Sequence, residues 1–221
     1  LANGYTGATK VYQGTLTLGA NVQNNVAGPL GNASSAVLVG NPDPLSSADA
    51  ALLVNSGGIT VTRPITVQAG STGSATLGGS HSSGTSSFSG DITLNKNANF
   101  TASTGGAVDF SGVISSSGGI TKTGGGLVTL SGVNTYTGGT SVSGGELLIN
   151  GSLQNSLVTV QNGGLLGGTG SVKSVTNQGA LRPGGRDGCA GRGVVRGGGP
   201  GAVVAHAGGP PAHGARGDGR R

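Results

Sequence analysis

The sequence predicts an all-β chain: a parallel β-helix (β-solenoid) over residues 1–181, followed by a disordered tail over 182–221. Three observations carry this reading. Short β-type runs recur between glycine pairs and triplets, as in Leu127-Val128-Thr129-Leu130, Thr140-Ser141-Val142 and Leu147-Leu148-Ile149. Strands this short bury too little to stand alone and need neighbours stacked above and below. Phe88-Ser89-Gly90-Asp91-Ile92 returns as Phe110-Ser111-Gly112-Val113-Ile114, 22 residues later, a spacing suited to one solenoid turn. Finally, from Arg182 onward Ser, Thr, Asn, Gln, Leu, Ile and aromatics vanish, and Gly, Arg, Ala and Pro replace them.

Taken in order, Thr15-Leu16-Thr17-Leu18 alternates as a strand with one dry and one wet face. Residues 19–49 are looser, with Val37-Leu38-Val39 as a strand, a break at Gly40-Asn41-Pro42-Asp43-Pro44 and a protruding loop. Strands resume over 51–55 and 58–67, with Pro64 placed where no ladder donor is needed. Residues 71–87 are nearly all Ser, Thr, Gly and Ala, and Ala75-Thr76-Leu77 is the one strand signal among them. Ile92-Thr93-Leu94, Asn99-Phe100-Thr101 and Ala107-Val108-Asp109-Phe110 then supply three short strands within a turn. After Asn150, Val160 to Leu166 matches Val175 to Leu181 at a spacing of 15, so the turns continue but shorten.

The stretch Gly118 to Asn150 is the fullest unit, and part of it recurs. Shifted by 131 positions, Asn134 to Leu147 falls without a gap on Asn3 to Leu16, aligning Tyr136 with Tyr5 and Thr140 with Thr9. The unit contains Gly118-Gly119-Ile120, Lys122-Thr123-Gly124, Val128-Thr129-Leu130-Ser131-Gly132, Asn134-Thr135-Tyr136-Thr137-Gly138 and Gly145-Glu146-Leu147. On these residues the chain resembles the passenger-associated transport repeat (autotransporter-associated β-strand repeat) of bacterial autotransporter passenger domains. A full copy covers 118–150 and a partial copy 1–18. Val128 stands where that family usually has Leu, which keeps the position apolar.

The resemblance implies a right-handed β-helix on a secreted or cell-surface protein, associated with the outer membrane of a Gram-negative-type bacterium. It further implies a non-enzymatic fragment of an exported passenger, acting as a structural stalk or adhesin-like surface. Its partner would be the outer-membrane translocator barrel of the parent protein, expected with the export signal outside this stretch. Host-surface or glycan contacts would fall to loops such as 40–50. No small-molecule substrate, cofactor, metal or specific nucleic acid is expected.

Composition supports a thin core. The chain has 49 Gly, three Tyr, three Phe and 9% charged residues, far from an ordinary globular protein. The net charge of +5 is not a property of the body. Lys10, Arg63, Lys96, Lys122 and Lys173 balance Asp43, Asp49, Asp91, Asp109 and Glu146, so the excess lies wholly in the tail. The tail also holds the lone Cys189. Its codon-like shift to Gly, Arg, Ala and Pro reads as a frameshifted or otherwise aberrant translation, with a genuine linker or nucleic-acid-binding tail as the rival.

Candidates for chemistry are sparse. His81, in a Ser/Gly-rich stretch, reads as a solvated loop side chain. Asp91 and Asp109 would serve a β-helical polysaccharide-cleaving enzyme if they came together as acid and base, but read better as turn caps. Tyr136 and Tyr5 read as rings covering a turn, beside glycines that supply positive φ. Thr121-Lys122-Thr123 is the lysine step of the repeat and not a phosphate loop; Gly184 to Gly188 lacks the periodicity of a calcium array. Arg216-Gly217-Asp218, the integrin-binding triplet, arises readily by chance in so Gly/Arg-rich a tail, and no aromatic joins its arginines to stack on bases.

Overall fold

The computed structural model describes residues 3–184; the expected disordered tail beyond its first three residues, with Cys189 and Arg216-Gly217-Asp218, lies outside them. Every strand pairing in a ladder is parallel, and no helix occurs among the described residues. The chain coils through three sheets. The first turn has β1 (Lys10–Val11) and β2 (Gly14–Leu18), with Val22 bridged to Val61 in place of a third strand. Full turns follow: β3 (Val37–Val39), β4 (Ala50–Val54), β5 (Thr60–Val61); then β6 (Ile65–Val67), β7 (Ala75–Gly79), β8 (Thr85–Phe88). Next come β9 (Ile92–Leu94), β10 (Ala98–Ala102), β11 (Ala107–Phe110), and β12 (Ile114–Ser115), β13 (Ile120–Thr123), β14 (Leu127–Leu130). The sixth turn is β15 (Val133–Asn134), β16 (Thr140–Val142) and β17 (Gly145–Ile149). In the last two, β18 (Ser152–Val160) with β19 (Gly164–Gly168), and β20 (Ser171–Asn177) with β21 (Ala180–Pro183), one long strand replaces two short ones.

The register explains how so few large residues make a core. Leu16, Leu52, Leu77, Phe100, Lys122, Val142 and Val160 form one inward file across the second sheet, and all but Leu16 are buried. On the third sheet Val61, Phe88, Phe110, Leu130 and Ile149 form another. Phe110 stacks on both Phe88 and Phe100, with centroids 5.0 and 4.2 Å apart. Each turn thus adds a few apolar groups to a continuous column.

The turns shorten along the chain. Lys10 pairs with Leu38, Ile92 with Ile114 and Leu165 with Ala180, so one circuit takes 28, then 22, then 15 residues. The spacing of 22 between the two Phe-Ser-Gly units is therefore one turn, and the stretch 71–87 supplies two strands, β7 and β8. Two expectations need correction. Leu165 and Leu166 do pair at 15, but Val160 pairs with Asn177 and not Val175, because two residues are lost at the intervening corner. The strand pattern also runs through Arg182 and Pro183, past the boundary expected after Leu181.

Candidate functional site

A parallel ladder satisfies the backbone along each strand but fails at corners, where chain direction changes and N–H and C=O groups face no partner. The polar side chains of this protein gather there. In the fullest repeat unit, alternation along β13 turns Ile120 and Lys122 inward and Thr121 and Thr123 outward. Lys122 is fully buried in a file of aliphatic and aromatic side chains. Its Nζ donates to the carbonyls of Thr123 (2.8 Å), Gly124 (2.8 Å) and Gly144 (3.0 Å), spanning two successive turns. Burial pushes its pKa down to about 8, and the neighbouring Glu146 carboxylate opposes that fall. Glu146, itself buried on β17, also lies 3.7 Å from Arg182 on β21, two turns on. Gly145 beside it has φ of +62°, and a Cβ there would meet Gly124 O at 2.5 Å and Lys122 Nζ at 2.8 Å.

Tyr136 closes the opposite corner. It is wholly buried, with its hydroxyl 2.6 Å from Thr140 Oγ1, which is 2.9 Å from Ser156 Oγ in the next turn. Burial raises the phenol's pKa, and the bonds to Thr140 and Ser156 act the other way. Tyr5 repeats the bond with Thr9 at 2.8 Å but is 42% exposed, so the two copies share the contact and not the cover. The glycines next to Tyr136 do not have the expected positive φ; Gly138 is needed for another reason, since a Cβ there would lie 2.4 Å from Gly118 C and Gly119 N.

The candidate catalytic residues are not brought together. Asp91 accepts the Val113 N–H (3.0 Å) just before the first sheet; Asp109 stands on β11 of the third and accepts from Ser131 Oγ (2.7 Å). Both reach to the following turn, as caps do. His81 is not solvated, as its Ser/Gly-rich context suggests, but buried, with Nδ1 3.0 Å from Ser83 O and Nε2 without a partner. Glycines make room for it: a Cβ at Gly79 would sit 2.9 Å from Nε2. Among the described residues no three His, Cys, Asp or Glu side chains gather to hold a metal ion.

Sequence reading missed two other capping cations. Arg63 is fully buried and donates to the carbonyls of Leu30 and Ser35 (2.8 Å to Ser35), fastening the long excursion between Val22 and Val37. Lys96 Nζ donates to Ser71 O (3.1 Å), Ser71 Oγ (2.9 Å) and Gly73 O (2.6 Å). Burial lowers the pKa of both. The 71–74 corner in turn fixes the 40–49 loop, through Ser71 N to Asn41 O, Thr72 N to Ser46 O and Ser74 N to Asp49 Oδ1.

Compared with known families, the chain matches the model of the passenger-associated-transport-repeat at residues 1–18 and 120–149. These are the partial copy and the body of the full copy, including Lys122, Tyr136, Gly145 and Glu146. No curated protein and no solved structure matches it.

Proposed function

We propose that this chain, a carrier of passenger-associated transport repeats, is a structural length of an exported bacterial passenger and not an enzyme. Passengers with such repeats are secreted to the cell surface of Gram-negative bacteria, which supports a solenoid displayed outside the cell as a stalk or adhesin-like surface. The outer-membrane barrel of the parent protein would be its translocation partner. One observation carries the reading: the repeat's characteristic residues are consumed in joining turns. Lys122 spans two successive turns, Tyr136 and Thr140 meet Ser156 of the next, and Glu146 pairs with Arg182. Groups committed to backbone closure are unavailable for turnover chemistry. Contacts with host surfaces or glycans would come from segments outside the ladder. The 40–49 loop suits this, because its anchoring to 71–74 presents Leu45 at 93% exposure without a further ordering cost.

The test is topological. An antibody raised against residues 3–184 should label intact cells producing the full protein, and external proteinase should remove the label. Deleting the parent's barrel should abolish it. Label seen only after permeabilisation would refute the proposal.

A further inference from the structure

The two copies of the repeat part company at particular positions. On the gap-free alignment of Asn134–Leu147 with Asn3–Leu16, the buried Val142 recurs as the buried Val11, and the Tyr136–Thr140 contact recurs as Tyr5–Thr9. Ser141, Ser143, Gly144 and Glu146 instead become Lys10, Tyr12, Gln13 and Thr15. Small residues thus give way to a cation, a ring and an amide, and the acid that neighbours Lys122 has no counterpart. None of this serves closure between turns: the side chains of Lys10, Gln13 and Thr15 make no hydrogen bond among the described residues.

The altered positions border a cleft of about 400 Å³, which Tyr5, Lys10, Gln13 and Thr15 line together with Pro29 and Leu30 from the excursion between Val22 and Val37. Its walls are tied to each other. Asn3 donates from its backbone N to Gly28 O (3.1 Å) and from Nδ2 to Pro29 O (3.1 Å), and Asn32 N donates to Tyr5 O (3.0 Å). The cleft is therefore formed in advance, which lowers the ordering cost of binding. Exposed aromatics are confined to this turn: Phe88, Phe100, Phe110 and Tyr136 are wholly buried, and of the six rings only Tyr5 and Tyr12 reach solvent. Lys10 Nζ stands 5.9 Å from the Tyr12 ring centroid and has no carboxylate partner among the described residues, unlike Arg63, Lys96 and Lys122, which are spent on backbone carbonyls.

This set of groups selects a ligand class. A tyrosine ring offers a rigid face to C–H groups at small entropic cost. An amide and a hydroxyl both donate and accept, as a ligand rich in hydroxyls requires. A lysine supplies a point charge for one carboxylate. A wholly apolar ligand would strip water from Lys10, Gln13 and Thr15 and return no hydrogen bond. Nucleic acid needs a track of cations, and this cleft has one. The volume falls in the range of about 300–1,000 Å³ that small-ligand clefts occupy, which suits sugar rings and not a folded partner.

We infer that this cleft binds an acidic saccharide: a pyranose unit bearing a carboxylate, with a C–H face on Tyr5, hydroxyls at Gln13 and Thr15 and the carboxylate at Lys10. The inference rests on the exported-passenger reading for its setting alone, and binding by the purified chain stands or falls apart from surface display. The full chain is titrated by calorimetry with trigalacturonate and its methyl ester, and with sialyllactose and lactose, after circular dichroism shows that each variant is folded. At least one acidic sugar should bind about fivefold or more tightly than its neutral twin, and which one does so separates a uronate source from a sialate source. Lys10→Ala should erase that preference. Tyr5→Ala should weaken the acidic sugar and its twin together, whereas Tyr5→Phe, which keeps the ring, and Lys173→Ala, at an exposed lysine on β20, should bind as wild type does. Should Tyr5→Ala fail to fold, Gln13→Ala serves in its place. The inference falls if neither acidic sugar binds, if acidic and neutral sugars bind alike, or if Lys10→Ala keeps the full preference, as it would were the arginine-rich tail the site.

Discussion

Replacing Lys122 with Met should remove most of a pH dependence that few proteins show. The folded ammonium is held at about 8 by burial, against an ordinary 10.5 in the unfolded chain. Between those values the unfolded chain keeps a proton that the folded one has lost. Unfolding then takes up a proton, and stability rises with pH. From pH 7 to 10 this single group contributes at most about 2.5 kcal/mol, or roughly 1 M in the urea midpoint for an m-value near 2 kcal/mol/M. Lys96, lowered by burial and held up by Asp49, acts in the same direction. Above pH 10 the sign reverses. The Tyr136 phenol is raised above its ordinary 10.0 by burial, so the unfolded chain ionises first and stability is lost. Wild type should therefore be most resistant to urea near pH 10, and Lys122→Met should rise much less between pH 7 and 10. At neutral pH the same variant should be destabilised by about 2–4 kcal/mol, because three carbonyls lose a charged donor and Glu146 loses a neighbouring cation. A wild-type midpoint that is flat or falls over this range would refute the argument; so would an equal rise in the variant.

Gly145→Val should destabilise by clearly more than the roughly 1–2 kcal/mol that a left-handed φ alone costs, since its Cβ would also strike Gly124 O. Thr15→Val, on an exposed strand position, should stay within about 0.5 kcal/mol, and equal urea midpoints would contradict the corner geometry. Tyr136→Phe should cost about 1 kcal/mol through its buried hydroxyl, while Tyr5→Phe, which deletes the same bond at the surface, should be near neutral by thermal melting. Translating the encoding DNA from the codon of Arg182 in the other two forward frames should restore Leu/Val strands with Ser, Thr and Gly-Gly punctuation; if neither does, residues 182–221 are a genuine tail.

Much of the fold was legible because a solenoid writes its register into sequence periodicity. Phe88 and Phe110 recur at one turn and do stack. The buried polar groups were less legible, although the signal was present as parity. Lys122 sits two residues from Ile120, Arg63 two from Val61, and His81 two from Gly79, so strict alternation continued into the adjoining corners puts each on the inward face. Reading His81 from its Ser/Gly-rich neighbours, and not from its phase, put it in solvent. What no local pattern encodes is corner length. The two-residue loss between β18–β20 and β19–β21 depends on how tightly the glycines there let turns approach, which is a tertiary property.

The distribution of charge leads to a last prediction. A neutral body with five cations and five acids looks uninformative as a surface, and as a surface it largely is. Three of those cations, Arg63, Lys96 and Lys122, face backbone carbonyls, while Asp49 and Asp91 accept backbone N–H groups of the next turn. The side-chain oxygens of Asn97 and Asn150 do the same for Gly119 and Thr169, and that of Asn134 accepts the Ile114 N–H of the preceding turn. The polar side chains thus complete at the corners the hydrogen bonding that the ladders complete along the strands. Such contacts pair a charge with a fixed dipole at close range, where mobile ions cannot intervene, whereas ion pairs between exposed side chains are screened. Arg182 with Glu146, its arginine half exposed, is the one ion pair among the described residues. Raising NaCl from about 0.05 to about 0.5 M should therefore shift unfolding free energy by less than about 0.5 kcal/mol. Urea midpoints at the two concentrations decide it, and a large salt-induced loss would show that exposed ion pairs, not capped corners, hold successive turns together.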